Sequence, residues 1–319
     1  MSKSNLLVFG ATGAIGSYII AAIVNARDAF NHIAVFTSPS TLTTKQSTIN
    51  ALRESGVEIL VGDVTSKDDV LKAFSGIDTV VSALGRGVIA AQVQLIEWAD
   101  QTPHVKRFLP SEYGTDIEYS PASASEKPHQ QKLKVRAALR QAKDLEYAFV
   151  VTGPYADVPF YLAPSASPRG GSFDVKSRKA VLLGDGHGRI SLVACADVGK
   201  FVVGALTHWE SARGRALKLN SFTTTPADIL AEFEQQTGEK WAVEYTPLDM
   251  LQDFEKEAWE KGQADATGLT LRRIWAEGGT LYERRDNEDI GVHETVDLSG
   301  AVKEAVRAQL STVLRRSVV

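Results

Sequence analysis

Three glycines near the start of the chain have the spacing of a phosphate-binding turn. They follow an apolar run at residues 6–9 and precede an apolar helical pattern at residues 18–24. One glycine allows the tight turn out of a buried strand, the next lets the backbone approach a pyrophosphate, and the last lets the helix pack closely. The helix N-terminus adds amide donors and the positive end of its dipole. The segment therefore predicts a bound dinucleotide, held by Gly10, Thr12, Gly13, Ala14, Ile15 and Gly16.

The second apolar run indicates which dinucleotide is bound. NAD-binding folds usually carry an acid about twenty residues beyond the glycines, whereas this chain has Phe36, Thr37 and Ser38. Without a carboxylate nothing repels a 2′-phosphate, and the hydroxyls of Thr37, Ser38 and Ser40 can donate to it. Lys45 would add a positive charge. This pattern favours NADPH over NADH, although an arginine is more usual here and Lys45 is alternatively a solvated surface lysine.

Strand and helix patterns alternate through the first half of the chain. Strands are predicted at residues 6–9, 32–36, 57–63, 79–84, 106–110 and 146–152, with helices at 44–55, 66–74, 88–100 and 129–143. This alternation predicts an α/β, Rossmann-type, doubly wound parallel sheet with right-handed crossovers. Ligands bind beyond the carboxyl ends of such strands. Further cofactor-binding candidates are therefore Asp63, Leu84, Gly85, Gly153, Pro154 and Tyr155.

Prolines and glycines loosen the pattern after residue 155. A strand is predicted at 180–184, and helices at 197–207 (capped by Asp197), 226–237, 248–261 and 269–275. We predict an NAD(P)-binding domain at residues 1–154 that also receives about 190–222. Residues 155–319 mainly form a smaller, partly intermixed α/β substrate lobe.

Composition excludes several classes of function. A formal net charge of −4 over 319 residues gives no sign of nucleic-acid or membrane-surface binding. The single cysteine, Cys195, excludes an internal disulfide and suggests a reducing compartment. There is no transmembrane-length apolar run, signal-peptide pattern or metal-ligand spacing. We expect a cytoplasmic protein with a small-molecule partner and no metal, and the sequence leaves a homo-oligomer open.

The usual proton donor of short-chain reductases is missing. These enzymes use a tyrosine four residues ahead of a lysine, but Pro128 and Gln130 lie four residues ahead of Lys132 and Lys134. No Tyr-x-x-x-Lys occurs anywhere in the chain. Another residue must therefore handle the proton.

Four segments resemble the isoflavone reductase-like branch of the NmrA-like, atypical short-chain reductases. This branch includes phenylcoumaran benzylic ether reductases and pinoresinol–lariciresinol reductases. The resemblance lies in residues 10–16, 105–114, 132–136 and 183–186 with 197–199, and the Phe-Leu-Pro-Ser-Glu-Tyr-Gly run is its most specific part. It covers about the first two-thirds of the chain, and nothing firm is recognised beyond Phe222.

The resemblance implies that Lys132 replaces the tyrosine as acid/base. A lysine that is partly desolvated beside a nicotinamide has its pKa lowered toward neutrality, where it can exchange protons. The alternative is that Lys132 is one of several charges on an exposed helical face, with Lys127, Lys134 and Arg136.

A substrate pocket is predicted next to Lys132. Glu112 is interpreted as a structural hydrogen-bond acceptor, and His129 as a proton relay or a helix cap. Phe173 and its aromatic neighbours are alternatively core residues. The pocket candidates are Ser111, Tyr113, His129, Tyr155, Phe160, Tyr161 and Phe173.

These inferences favour an NADPH-dependent reductase of a small aromatic or phenolic metabolite. A hydride would reach a carbonyl, an activated double bond or a quinone-methide-like carbon while Lys132 handles the proton. The alternatives are an NmrA-type regulator that senses the dinucleotide without turnover, and an isomerase or cyclase that retains its cofactor.

Overall fold

A six-stranded parallel sheet forms the first half of the chain in a computed structural model, which describes residues 3–165 and 167–311. The strand order is β3-β2-β1-β4-β5-β6, the order of a Rossmann fold, and confirms the predicted fold class. The strands are β1 (Ser4–Phe9), β2 (Phe30–Thr37), β3 (Glu58–Val61), β4 (Thr79–Ser82), β5 (Arg107–Leu109) and β6 (Glu146–Tyr147).

Helices cover both faces of this sheet because its central strands are apolar on both sides. Residues Leu6 and Val8 of β1 belong to one buried cluster and Leu7 and Phe9 to the other. The helices of this half are α1 (Gly16–Asn25), α2 (Pro39–Thr44), α3 (Gln46–Glu54), α4 (Lys67–Ala73), α5 (Ala91–Asp100) and α6 (Gln130–Gln141).

The helix predicted at residues 44–55 is confirmed as α3, and a second helix that was not predicted, α2, precedes it. Helix α2 begins at Pro39, whose fixed φ suits the first helical position, and Ser38 caps it by accepting from the Thr41 N–H at 3.2 Å. Lys45 lies at the break between α2 and α3.

The second half contains short strands and longer helices. In it β9 (Lys179–Leu183) pairs with β8 (Ser172–Asp174) and β13 (Ala242–Thr246), and β10 (Ile190–Leu192) pairs with β12 (Phe222–Thr224). The remaining strands are β7 (Phe149–Val151) and β11 (Ala216–Lys218). The remaining helices are α7 (Cys195–Thr207), α8 (Trp209–Ala212), α9 (Pro226–Thr237), α10 (Leu248–Glu260), α11 (Ala266–Ala276) and α12 (Leu298–Leu310).

The strand predicted at residues 146–152 is not continuous. It divides at Ala148: β6 pairs with β5, whereas β7 pairs with β11, with Phe149 opposite Ala216. The neighbouring strand therefore changes from β5 to β11 at Ala148, although the apolar run in the sequence is continuous.

Helix α7 packs closely against α1. A Cβ at Gly199 would lie 2.5 Å from the Tyr18 carbonyl oxygen, so only glycine permits this approach. Asp197 is not the cap of α7, because Ala194 occupies that position. Buried Asp197 instead accepts from the Ser221 hydroxyl at 2.6 Å and the Val296 N–H at 2.8 Å. Segments of the second half are thus fixed to the first.

None of the helices in residues 3–165 and 167–311 has the length and apolar character needed to span a membrane.

Candidate active site

A first cavity lies at the carboxyl ends of β1 to β4 and has a volume of about 630 Å³. Parallel strands bring their carboxyl ends to the same edge of the sheet, which explains why residues from four separate turns meet here. The predicted cofactor-binding residues in its wall are Gly10, Thr12, Gly13, Thr37, Ser38, Lys45, Asp63, Leu84 and Gly85.

The glycine-rich turn fits the backbone of a phosphate-bearing ligand. Gly10 has a φ of +75°, and a Cβ there would overlap the Ala83 carbonyl oxygen. The N-cap residue of α1 is Ile15, whose side chain cannot accept a hydrogen bond. The first-turn amides therefore have no side-chain cap, which suits an anion.

Gly16 was predicted as a cofactor-binding residue, and the structure places it behind the turn instead. A Cβ on Gly16 would overlap the Gly10 carbonyl oxygen, so this glycine allows the helix to approach the strand. Gly13, Ala14 and Ile15 face the ligand space.

A positive charge lies against the glycine-rich turn. The Lys45 ammonium donates to the Thr12 carbonyl at 2.6 Å and lines the first cavity. Asp63 is fully exposed, and its pKa is lowered because it accepts from the Thr65 N–H and hydroxyl, each at 2.8 Å. Lys45 is exposed, and its hydrogen bond places the ammonium beside the glycine-rich turn.

A second cavity of about 630 Å³ adjoins the first and shares Gly13, Ala83, Leu84 and Gly85 with it. Its other walls come from the β5–α6 connection, α6, the segment after β7, and α11. The predicted residues that it brings together are Ala14, Ile15, Ser111, Tyr113, His129, Lys132, Gly153, Pro154, Tyr155, Phe160 and Tyr161.

Lys132 lies in the wall of the second cavity, and its ammonium donates to the Glu112 carbonyl oxygen. Burial lowers the pKa of Lys132 to about 8, an effect that the Glu112 carboxylate partly opposes and that Arg86 and Arg136 reinforce. The neighbouring Lys134 is exposed. Lys132 is thus distinguished from the exposed charges of its helix.

The Glu112 carboxylate does not bind Lys132 and pairs with Arg136 instead. The fully buried Arg136 guanidinium donates to both Glu112 carboxylate oxygens, at 3.2 and 2.9 Å. It also contacts Asp116 at 3.2 Å and Glu118 at 2.6 Å. Glu112 is therefore a structural hydrogen-bond acceptor, as expected. The alternative that placed Arg136 on an exposed helical face is wrong, because Arg136 is buried. The pair holds the carbonyl of Glu112 against Lys132.

Three further proton-bearing groups surround the second cavity. His129 Nδ1 lies 3.2 Å from the Ser123 carbonyl, and burial lowers the pKa of this histidine. Burial raises the pKa of Tyr113, whose hydroxyl has no hydrogen-bond partner among the described residues. The Tyr155 hydroxyl donates to the Tyr113 carbonyl. The neutral imidazole and phenols can donate hydrogen bonds without adding charge.

Aromatic rings form one side of the second cavity. Tyr155 and Phe160 meet edge to face, with ring centroids 5.1 Å apart, and Tyr161 packs 6.1 Å from Trp275. Phe173 is a core residue instead, stacked 5.4 Å from Phe233. Ser111 is buried, and its hydroxyl donates to the Leu84 carbonyl at 2.9 Å.

Sequence reasoning missed several residues of the second cavity. Arg272 and Trp275 lie on α11, far along the chain from the glycine-rich turn, and no sequence motif marks them. Arg86 follows β4 closely, so its proximity to the strand end was a usable signal. The other lining residues absent from the predictions are Ala83, Ile89, Gly114, Thr115, Ile117, Pro128, Gly268 and Leu271.

Together, the glycine-rich turn and the two adjoining cavities define a dinucleotide-binding α/β protein with a lysine in its second cavity. Residues 2–263 match the model of the NmrA-like family. The chain belongs to this family, and the resemblance to its isoflavone reductase-like branch is confirmed.

Curated relatives and solved structures agree with this assignment. The isoflavone reductase homolog A622 of Nicotiana glauca is 29% identical over 235 residues, covering 72% of this chain and 71% of the relative. Phenylcoumaran benzylic ether reductase Pyrc5 of Pyrus communis is 30% identical over 206 residues, covering 64% and 65%. The leucoanthocyanidin reductase–NADPH complex of Vitis vinifera shares the fold, with a TM-score of 0.76 at 19% identity over 95% of this chain and 99% of that one.

Proposed function

We propose that this protein is an NADPH-dependent reductase of a small aromatic or phenolic compound. Residues 1–154, with about 190–222, would form the cofactor-binding part, and 155–319 mainly the substrate lobe. The first cavity would hold the adenosine end with its 2′-phosphate near Thr37, Ser38 and Lys45. The reductases among the relatives support the activity.

Lys132 is the observation that carries the proposal. It lies in the cavity that continues from the glycine-rich turn, next to the aromatic wall. When bound, the cofactor supplies a hydride to a carbonyl, an activated double bond or a quinone-methide-like carbon. Lys132 donates a proton to the oxygen that becomes negative and regains it from solvent. A pKa of about 8 keeps the donor protonated near neutral pH while making the transfer easy.

The residues around Lys132 support the same chemistry. The Glu112 carbonyl orients the ammonium, and the Arg136 ion pair fixes that carbonyl. Tyr155 and Phe160 offer apolar faces to an aromatic substrate and exclude water from it. Gly153 has a φ of +72°, and this turn brings Pro154 and Tyr155 into the cavity wall.

Titration with NADPH, NADP⁺ and NADH, followed by cofactor oxidation with an isoflavone, a phenylcoumaran and pinoresinol, tests the proposal. We expect NADPH to bind more tightly than NADH. With the substrate that is turned over, Lys132→Ala should lower kcat about 10²–10⁴-fold, whereas Lys134→Ala, on the exposed face of the same helix, should not.

Three outcomes contradict the proposal. Wild-type turnover in Lys132→Ala would remove the lysine from the chemistry. A preference for NADP⁺ with no turnover would favour the dinucleotide-sensing regulator, and product formation without net cofactor consumption would favour the isomerase or cyclase.

A further inference from the structure

The second cavity has an excess of positive charge. Arg86, Lys132 and Arg272 line it, and Glu112 is the acidic side chain among the described residues in its wall. Glu112 is already paired with the buried guanidinium of Arg136. The three lining cations therefore face the cavity without a carboxylate to neutralise them.

Arg272 is the cation that the second half of the chain contributes to the cavity wall. It projects from α11 and lies over the Tyr161 ring, 4.3 Å from the centroid, and 5.7 Å from that of Trp275. A Cβ on Gly171 would come within 3.3 Å of its Nη1, so this glycine makes room for the guanidinium. These ring contacts hold the planar group by its face, and a side-chain hydrogen bond with Tyr161 adds to them.

No ion pair involves Arg272 in residues 3–165 and 167–311. Asp185 lines a neighbouring pocket together with Arg272, but its carboxylate accepts the His187 N–H at 2.8 Å. Burial lowers the pKa of Arg272, which is the sign of a cation that lacks a counter-ion. Arg272 is half-buried, and an unpaired charge held partly out of water is costly, a cost that an anionic ligand would reduce.

We propose that the substrate of the second cavity is an aromatic carboxylic acid whose carboxylate is bound by Arg272. The inference rests on the proposed function, since it takes this cavity as the substrate site. A guanidinium edge matches a carboxylate with two parallel N–H···O bonds. The aromatic part of the acid would lie along Tyr155, Phe160 and Trp275, toward Lys132.

Arg86 is less suited to this role. It follows β4, directly after Leu84 and Gly85, which line both cavities, and its side chain is exposed at the cavity mouth. A cation at that place lies on the cofactor side. Arg272 belongs to the second lobe, where the chain presents its substrate-facing aromatic residues.

Calorimetric titration with 4-hydroxycinnamate and with its methyl ester tests the proposal, using both the cofactor-free and the NADP⁺-loaded protein. The two probes differ in charge while sharing the ring. We expect the acid to bind at least about tenfold more tightly than the ester, as one charge-assisted pair predicts. Arg272→Gln should remove this preference. Arg272→Lys should keep part of it, because lysine retains the positive charge but lacks the two parallel N–H donors.

The ratio of the two affinities separates recognition from folding. A purely structural role of Arg272 would weaken acid and ester equally and leave the ratio unchanged. Arg307→Gln, an exposed site on α12, controls for the change of net charge and should retain the preference. Equal binding of acid and ester by the wild type, no saturable binding of the acid at millimolar concentration, or a preference that survives Arg272→Gln would each overturn the proposal.

The test does not depend on turnover. If the protein binds the acid through Arg272 but never oxidises NADPH, the proposed reductase activity fails while the carboxylate site stands. If NADPH reduces a neutral phenolic substrate and the acid is not preferred, the carboxylate site fails alone.

Discussion

The two cavities have the same volume, about 630 Å³, but they are built from different parts of the protein. The first is formed by strand ends, where glycines and short side chains bring the backbone to the ligand. The second is formed by α6, α11 and the segment after β7, which contribute long and aromatic side chains. Backbone recognition suits a ligand common to many proteins, whereas side-chain recognition can change with one substitution. The difference explains how one fold combines a fixed cofactor with varied substrates.

The largest expected effect tests the backbone recognition in the first cavity. Gly10→Ala places a Cβ against the Ala83 carbonyl at a φ of +75°, and we expect loss of NADPH binding and of several kcal/mol of stability. Gly76→Ala is the matched control, because Gly76 has the same φ and open space around it. It should cost about 1–2 kcal/mol and spare binding. Thermal unfolding measures the stability of the two variants, and NADPH titration measures their affinity. Equal losses in Gly10→Ala and Gly76→Ala would show that the close contact with Ala83 is unimportant.

The next effect concerns the buried support of the second cavity. Arg136→Met leaves the Glu112 carboxylate buried and unpaired, and should cost about 3–5 kcal/mol of unfolding free energy. Arg140→Met, on the same helix, removes an exposed partner of Glu118 and a distant contact with the Phe149 ring, and should cost less than about 1 kcal/mol. Urea denaturation of the two variants gives the comparison. Similar losses would mean that the buried pair does not support the site.

The pH dependence of the reduction rate tests whether Lys132 is the proton donor. The ammonium is the active form, so kcat/KM should fall above pH 8, where a pKa of about 8 places its deprotonation. The fall should approach about tenfold per pH unit. Oxidation of the product needs the neutral amine and should rise over the same range. A pH–rate profile that is flat between neutral and alkaline pH would exclude Lys132 as the donor.

The smallest effect tests the charge of the first cavity. Lys45→Ala should weaken NADPH binding about tenfold through loss of one charged contact, and leave NADH binding unchanged. Lys303→Ala, exposed on α12, is the control. If both cofactors lose affinity equally, Lys45 supports only the Thr12 turn.

The position of the first cavity could be predicted from the sequence, because most of its predicted residues directly follow strands that the apolar pattern reveals. Gly16 was the error there: its spacing is correct, but its purpose is close packing and not ligand contact. Helix α2 was missed because Pro39 after Ser38 was not used as a helix start.

The second cavity could be predicted only in part, since its far wall depends on how α11 packs. Arg272 and Trp275 have no neighbours in sequence that relate them to Lys132. Arg136 did carry a signal, because it lies four residues after Lys132 and so shares its helix face. The divided strand at Ala148 escaped prediction for a related reason: its second partner, β11, comes from a distant part of the chain.

The hydrogen bond between Lys132 and the Glu112 carbonyl has a stereochemical consequence. An ammonium group has three tetrahedrally arranged N–H bonds, and one of them is already directed at this carbonyl. Rotation of the other two is thereby restricted, so the proton travels along a defined direction. A substrate oxygen that accepts this proton must lie along one of the two remaining N–H directions, so the hydrogen bond would favour one orientation of the substrate, and hence one face of its carbon, toward the cofactor.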